Sequence, residues 1–230
     1  MTLRWLGLGL MAAACWSLAR PAGAADEAWA LPQQGADPAA FTPRGWSVEE
    51  TFDSDLDGDG AADKVIVLLQ DELQNDSDTR DVERHRALVT LRRQADGYTL
   101  VGCNRRILMS FGDGGVKGGV GTPELRNQRG TLVVSQMQGS REFEIWEHHF
   151  RWSRKRQRFE LVGRDSIRSD AATGASTWLS CNFLTRACVE KVTPPQVDSD
   201  GHELRSVPKI RRWQLPRVSL VAFELVEREE

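Results

Sequence analysis

The residues best suited to do chemistry lie in one short stretch, Asp55-Leu56-Asp57-Gly58-Asp59-Gly60-Ala61-Ala62-Asp63, which sets carboxylates at relative positions 1, 3, 5 and 9 and a glycine at position 6. A chain curling round an ion turns every second side chain inward, and glycine permits the sharp bend. Oxygen donors in this number suit Ca2+, which takes about six to eight oxygens at roughly 2.3–2.6 Å. Asp55, Asp57, Asp59 and Asp63 are the expected side-chain ligands, and Ala61 the expected backbone carbonyl. Four carboxylates so close together repel one another unless a cation neutralises them, so the expected ion is structural. A complete EF-hand is excluded: position 12 is Ile66 where a bidentate glutamate belongs, and Val65 to Leu69 reads as strand.

Weaker signals stand elsewhere. Gly112 to Gly121 lacks the Gly-Lys-Ser/Thr ending of a phosphate cradle and reads as a loop. The acidic run Asp71, Glu72, Asp76, Asp78, Asp81 and Glu83 reads as a solvated hairpin loop. His148 and His149 follow Glu147, but neighbours on a strand face opposite ways, so these two histidines do not ligate one metal together. Asp198-Ser199-Asp200-Gly201-His202-Glu203 holds half of the first loop's pattern and reads as a turn. Arg151, Arg154, Lys155, Arg156 and Arg158, beside Trp152 and Phe159, read as a solvated hairpin tip, with an anionic glycan or lipid headgroup as the sharper alternative.

The elements that must position these groups are strands. Val65 to Leu69, Ala87 to Leu91, Tyr98 to Val101, Thr131 to Val134 and Phe143 to Trp146 are short, rich in β-branched or aromatic residues, and bounded by turn chemistry. Alternation, as in Phe159 and Leu161 against Glu160, suits antiparallel sheets with one wet face. Ala95-Asp96-Gly97, Arg154 to Gln157 and Leu184-Thr185-Arg186 supply turns. The expected fold is therefore mainly β with little helix: an antiparallel meander of hairpins, sandwich-like or partly propeller-like. A hairpin centred on Leu184-Thr185 sets Cys181 opposite Cys188 and predicts a disulfide there, leaving Cys103 free or paired instead.

Asp55 to Asp63 with Lys64-Val65-Ile66-Val67 resembles the calcium loop of FG-GAP and VCBS-type repeats, which occur in integrin-like β-propellers and in secreted bacterial proteins. Ala87 to Leu91 and Asp96-Gly97-Tyr98 fit the strand and turn that follow in such repeats. The resemblance implies a calcium-ligand role for Asp55, Asp57, Asp59 and Asp63. The pattern does not recur, whereas a propeller needs several blades, so a single repeat is expected. Phe41 to Trp46 and the late Asn182-Phe183-Leu184-Thr185 hairpin are similar to secreted bacterial proteins with one such repeat, with Asp53 standing where those often have glycine.

The amino terminus follows an export pattern: Arg4, an uncharged run from Trp5 to Leu18, and Ala22-Gly23-Ala24 as a cleavage site, short of the roughly 18–20 residues of a membrane span. The expected organisation is a signal peptide over 1–24, a flexible Ala/Pro/Gln/Gly leader over 25–42, one β-rich domain over 43–224 and a charged tail over 225–230. Ala13-Ala14-Cys15 offers lipid anchoring as an alternative to cleavage after Ala24. Cleavage removes Arg4 and Arg20, so the formal net charge of −3 becomes −5, which argues against nucleic acid. A periplasmic or secreted location is expected.

No nucleophile, base and oxyanion arrangement is legible. The sequence reads first as a non-catalytic, calcium-stabilised module that binds a protein or glycan at the cell envelope, with no transmembrane segment in the mature chain. The second reading is an envelope hydrolase drawing on Ser110, Asp113 and His148 or His149.

Overall fold

The computed structural model describes residues 29–71, 84–113, 121–198, 201–217 and 219–227. The chain divides into two compact units, Met1–Ala30 and Leu31–Glu230. Every strand among the described residues belongs to the second, which is mainly β, as the sequence predicts. The signal peptide and Cys15, most of the acidic run between Gln70 and Arg86 and most of the glycine-rich stretch lie outside the described residues.

Two antiparallel sheets make up the fold, and neither closes into a barrel. The first holds β1 (Gln34–Gly35), β2 (Trp46–Ser54), β3 (Asp63–Gln70), β4 (Arg86–Gln94) and β5 (Gly97–Asn104) in the order β1-β5-β4-β3-β2. The second is a seven-stranded meander of β6 (Glu124–Asn127), β7 (Thr131–Gly139), β8 (Glu142–Ser153), β9 (Arg158–Asp170), β10 (Ser176–Asn182), β11 (Ala187–Thr193) and β12 (Lys209–Gln214). The turns fall where their chemistry predicts: Ala95-Asp96 joins β4 to β5, Arg154 to Gln157 joins β8 to β9, and Phe183 to Arg186 joins β10 to β11. That last hairpin pairs Cys181 with Cys188 in register, their Cα atoms 4.2 Å apart, and the two form a disulfide. Cys103, on β5, takes no part in it.

Period-two alternation explains the core side of β8, whereas β3, β4, β7 and β9 each carry a run of consecutive buried residues. Along β8, His148, Phe150 and Trp152 turn inward while Glu147, His149 and Arg151 turn away. Phe150 and Trp152 meet Val65 and Val67 of β3, Leu88 of β4, Leu132 and Val134 of β7, and Phe159 and Leu161 of β9 in one apolar cluster shared by both sheets. Along β3, Val65 to Leu68 are all buried, the continuous apolar run of a strand covered on both faces. A 3-10 turn at Phe223–Leu225 closes the cluster, with Phe223 edge-on to Phe150 at 5.1 Å between ring centroids. The Asn104 amide fastens that turn by donating to the carbonyls of Phe223 and Val226 at 2.5 and 2.8 Å.

Ordered structure extends past the expected boundaries at both ends. Gln34 and Gly35 pair with Thr99 and Tyr98, and Asp37 caps a 3-10 turn over Pro38–Phe41 that buries Phe41 completely, all inside the expected flexible leader. The two-residue strand is held by its pairing with β5 and the single turn follows it, so no periodicity of their own betrays them. Val226, expected in the charged tail, belongs to the core.

Candidate metal centre

The acidic loop is the β2–β3 connection. Ser54, the last residue of β2, pairs with Asp63, the first of β3, so the ladder itself fixes both ends of the loop. Leu56 points down from it into the apolar cluster, 3% exposed, and pins the loop to the core. Gly58 and Gly60 turn the chain through φ values of 77° and 92°, where a Cβ is strained.

This path brings Asp55, Asp57 and Asp63 together, with ligand oxygens all within 4.8 Å of one another. Asp59, expected as a fourth ligand, stands outside that trio; its carboxylate accepts the backbone N–H of Ala61 at 2.8 Å. The other carboxylates also organise the loop. Asp55 accepts the N–H groups of Gly58 at 2.7 Å and Gly60 at 3.0 Å, Asp57 accepts that of Asp59 at 3.0 Å, and the buried Asp63 accepts those of Leu56 and Arg93, each at 3.0 Å. A carboxylate oxygen has two lone pairs, so one accepted amide leaves capacity for a cation.

The carboxylates of the loop are crowded and partly buried. Burial raises the Asp57 and Asp63 carboxyls above the usual range, and the neighbouring aspartates push in the same direction. Arg92 of β4 offsets part of this through an ion pair to Asp57, Nε to Oδ2 3.1 Å. Three carboxylates against one guanidinium leave two negative charges, the complement of a divalent cation.

Residues far away in sequence hold the loop, and no local pattern announced them. Asn127 of β6 donates to Ser54 Oγ at 2.6 Å and to the Asp55 carbonyl at 3.0 Å. Arg154, from the β8–β9 turn, donates to the carbonyls of Asp57 and Gly58, both at 3.3 Å. The basic hairpin tip is therefore partly committed to this loop, and Arg156 and Arg158 are committed to Glu160.

No family profile, curated protein or solved structure matches this chain.

The other sequence candidates separate. His148 is buried beside Phe150 on the core side, its imidazole driven down to a pKa of about 3 by burial, with Arg164 and His149 adding to the shift. His149 faces the other way, as strand alternation requires. Ser110 lies instead against His85, which the sequence did not single out, Oγ to Nδ1 3.2 Å, and its N–H donates to Asp113 at 2.9 Å. Asp198 accepts the N–H of His202 at 2.9 Å and faces its ring at 3.2 Å, the contacts of a closed turn.

Proposed function

We propose that the protein is an exported, calcium-stabilised β module that acts at the cell envelope by binding a protein or glycan, with the ion in a single loop like those of FG-GAP and VCBS repeats. One observation carries this reading: Asp55, Asp57 and Asp63 converge on one point at the foot of two strands and retain two net negative charges beside Arg92. Calcium there ties β2 to β3 and, through Leu56, to the core. Extracellular calcium modules bind at roughly 10⁻⁴ to 10⁻³ M, an affinity suited to a compartment where the ion is abundant. The Cys181–Cys188 disulfide suits an oxidising compartment, and no helix among the described residues is long and apolar enough to cross a membrane.

Amino-terminal sequencing of the exported product tests the location, with Ala25 as the expected first residue. Calorimetric titration of chelator-stripped protein tests the ion, with about one Ca2+ per chain expected and none for Asp57→Asn. An intracellular product with its amino terminus intact, or an absence of binding heat, contradicts the respective half.

A hydrolase is the second reading, favoured by the Ser110–His85 contact. Covalent labelling of Ser110 by a fluorophosphonate, lost in His85→Ala, supports it. An unlabelled protein counts against it.

A further inference from the structure

Glu147, His149 and Asp165 form a second group of metal-ligating atoms, on the face of the seven-stranded sheet turned away from the core. Glu147 and His149 are two apart on β8 and so share a face, and Asp165 of β9 stands directly opposite Glu147 in the ladder. Opposed residues on one face have Cβ atoms roughly 4.5–5.5 Å apart, so the three side chains converge by construction.

The His149 imidazole carries the argument. Its Nε2 is closed off from solvent and meets only long contacts, Asp165 Oδ2 at 3.4 Å and Glu147 Oε2 at 3.7 Å. A buried ring nitrogen met so loosely by two acceptors leaves room for a cation shared among the three atoms. The His149–Asp165 spacing fits an ion, since ligands bound tetrahedrally at about 2.0–2.1 Å lie about 3.3–3.4 Å from one another, and a Glu147 carboxylate oxygen stands within 4.8 Å of both. An imidazole with two carboxylates is a nitrogen and oxygen donor set suited to zinc-class cations, unlike the all-oxygen calcium loop.

The surroundings are built to hold the three groups. Gly163 stands opposite His149, and a Cβ there would lie 3.1 Å from the Cys181 carbonyl oxygen, which is tight, and in van der Waals contact with His149 Cβ at 3.6 Å and Cγ at 3.7 Å. Arg126 of β6 holds Glu147 Oε2 at 2.7 Å, and Ser180 of β10 stands opposite Asp165. Groups of this kind orient metal ligands. We propose that Glu147 Oε2, His149 Nε2 and Asp165 Oδ2 bind a zinc-class divalent cation, leaving a fourth position for water.

Cobalt(II) replaces zinc in such sites and reports four-coordination by its visible d–d absorption. Untagged protein, saturated with calcium to fill the Asp55–Asp63 loop, is titrated with Co2+. The expected result is an absorption band that saturates near about one equivalent and is displaced by Zn2+. His149→Gln and Asp165→Asn weaken binding by about tenfold or more. Circular dichroism of each variant establishes its fold, and if His149→Gln does not fold, the near-isosteric Asp165→Asn decides. Absence of the band in the parent, as expected if a proton on Nε2 is the natural occupant, overturns the proposal. So does a band unaltered in the folded variants.

Discussion

Arg92 Nε lies 3.1 Å from Asp57 Oδ2, so a guanidinium from β4 already supplies part of the positive charge that the β2–β3 loop requires. The same side chain reaches Gln157 at 3.2 Å and lies over the Trp152 ring at 5.8 Å, which links the loop to the β8–β9 hairpin. Arg92→Met keeps the apolar stem and removes the charge. The expected outcome is opposite in sign for the two states of the loop. Stripped of metal, the variant is less stable by up to about 1 kcal/mol, the usual worth of a partly exposed pair, while its calcium affinity rises several-fold. Denaturant unfolding and calorimetric titration measure the two effects, and weakened calcium binding would mean that Arg92 positions the ligands instead of competing with the ion.

Leu56 ties the same loop to the core. Leu56→Ala is expected to cost about 2–5 kcal/mol, the range for truncating a buried leucine. Its calcium affinity should fall as well, because Asp55 and Asp57 flank the anchor. The unfolding midpoint in urea and a calcium titration check both parts. A stability loss with unchanged affinity would show that the loop holds its shape without the anchor.

His148 makes the fold sensitive to acid. Its folded pKa is about 3, against 6.5 for an ordinary histidine, because burial resists the charged form. Below pH 6.5 the unfolded chain takes up a proton that the native chain refuses, so stability falls as pH drops and the loss levels off near pH 3. Between pH 7 and pH 4 this one group removes about 3 kcal/mol. His148→Phe is expected to abolish that share of the pH dependence while leaving the remaining carboxylate effects in place. Chelated parent and variant compared at both pH values measure the difference, and equal slopes would show that His148 is solvated or paired in solution.

The Cys181–Cys188 bridge closes a short loop, seven residues apart in sequence. Constraining so short a segment in the unfolded chain is worth about 2.5 kcal/mol. Replacing Cys181 with serine and Cys188 with alanine should therefore lower the thermal midpoint by roughly 5–10 °C, at about 2–4 °C per kcal/mol. Reductant should do the same to the parent and nothing to the variant. A parent indifferent to reductant, with Cys181 and Cys188 both titrating as thiols, would mean that the bridge does not form.

Much of this was legible because strands and turns write themselves locally. Val65 to Leu69 and Ala87 to Leu91 are β-rich runs, and Arg154 to Gln157 and Leu184 to Arg186 mark their turns within a residue, so the mainly β fold and the cysteine pairing follow from alternation and loop length. Asp55, Asp57 and Asp63 were legible as a set because one loop holds them. Asp59 stands apart from them with its carboxylate on the Ala61 N–H, although Asp57 makes the same contact to the Asp59 N–H and stays in the set. Asn127, Arg92 and Arg154 were not legible, since each reaches the loop from another strand or turn through sheet register. His85 and Asp165 stayed hidden for the same reason: their partners Ser110 and Glu147 lie 25 and 18 residues away along the chain.

The central claim is that a divalent ion completes the Asp55–Asp63 loop, and thermal unfolding tests it most directly. Chelator-stripped protein is melted with and without calcium, alongside Asp57→Asn and Asp63→Asn. Calcium at a hundredfold over its dissociation constant adds about 2.7 kcal/mol when it binds only the folded state. The expected result is a midpoint rise of roughly 5–11 °C in the parent, at about 2–4 °C per kcal/mol, and little or none in either variant. A parent whose midpoint ignores calcium, or variants that respond as the parent does, would contradict the account.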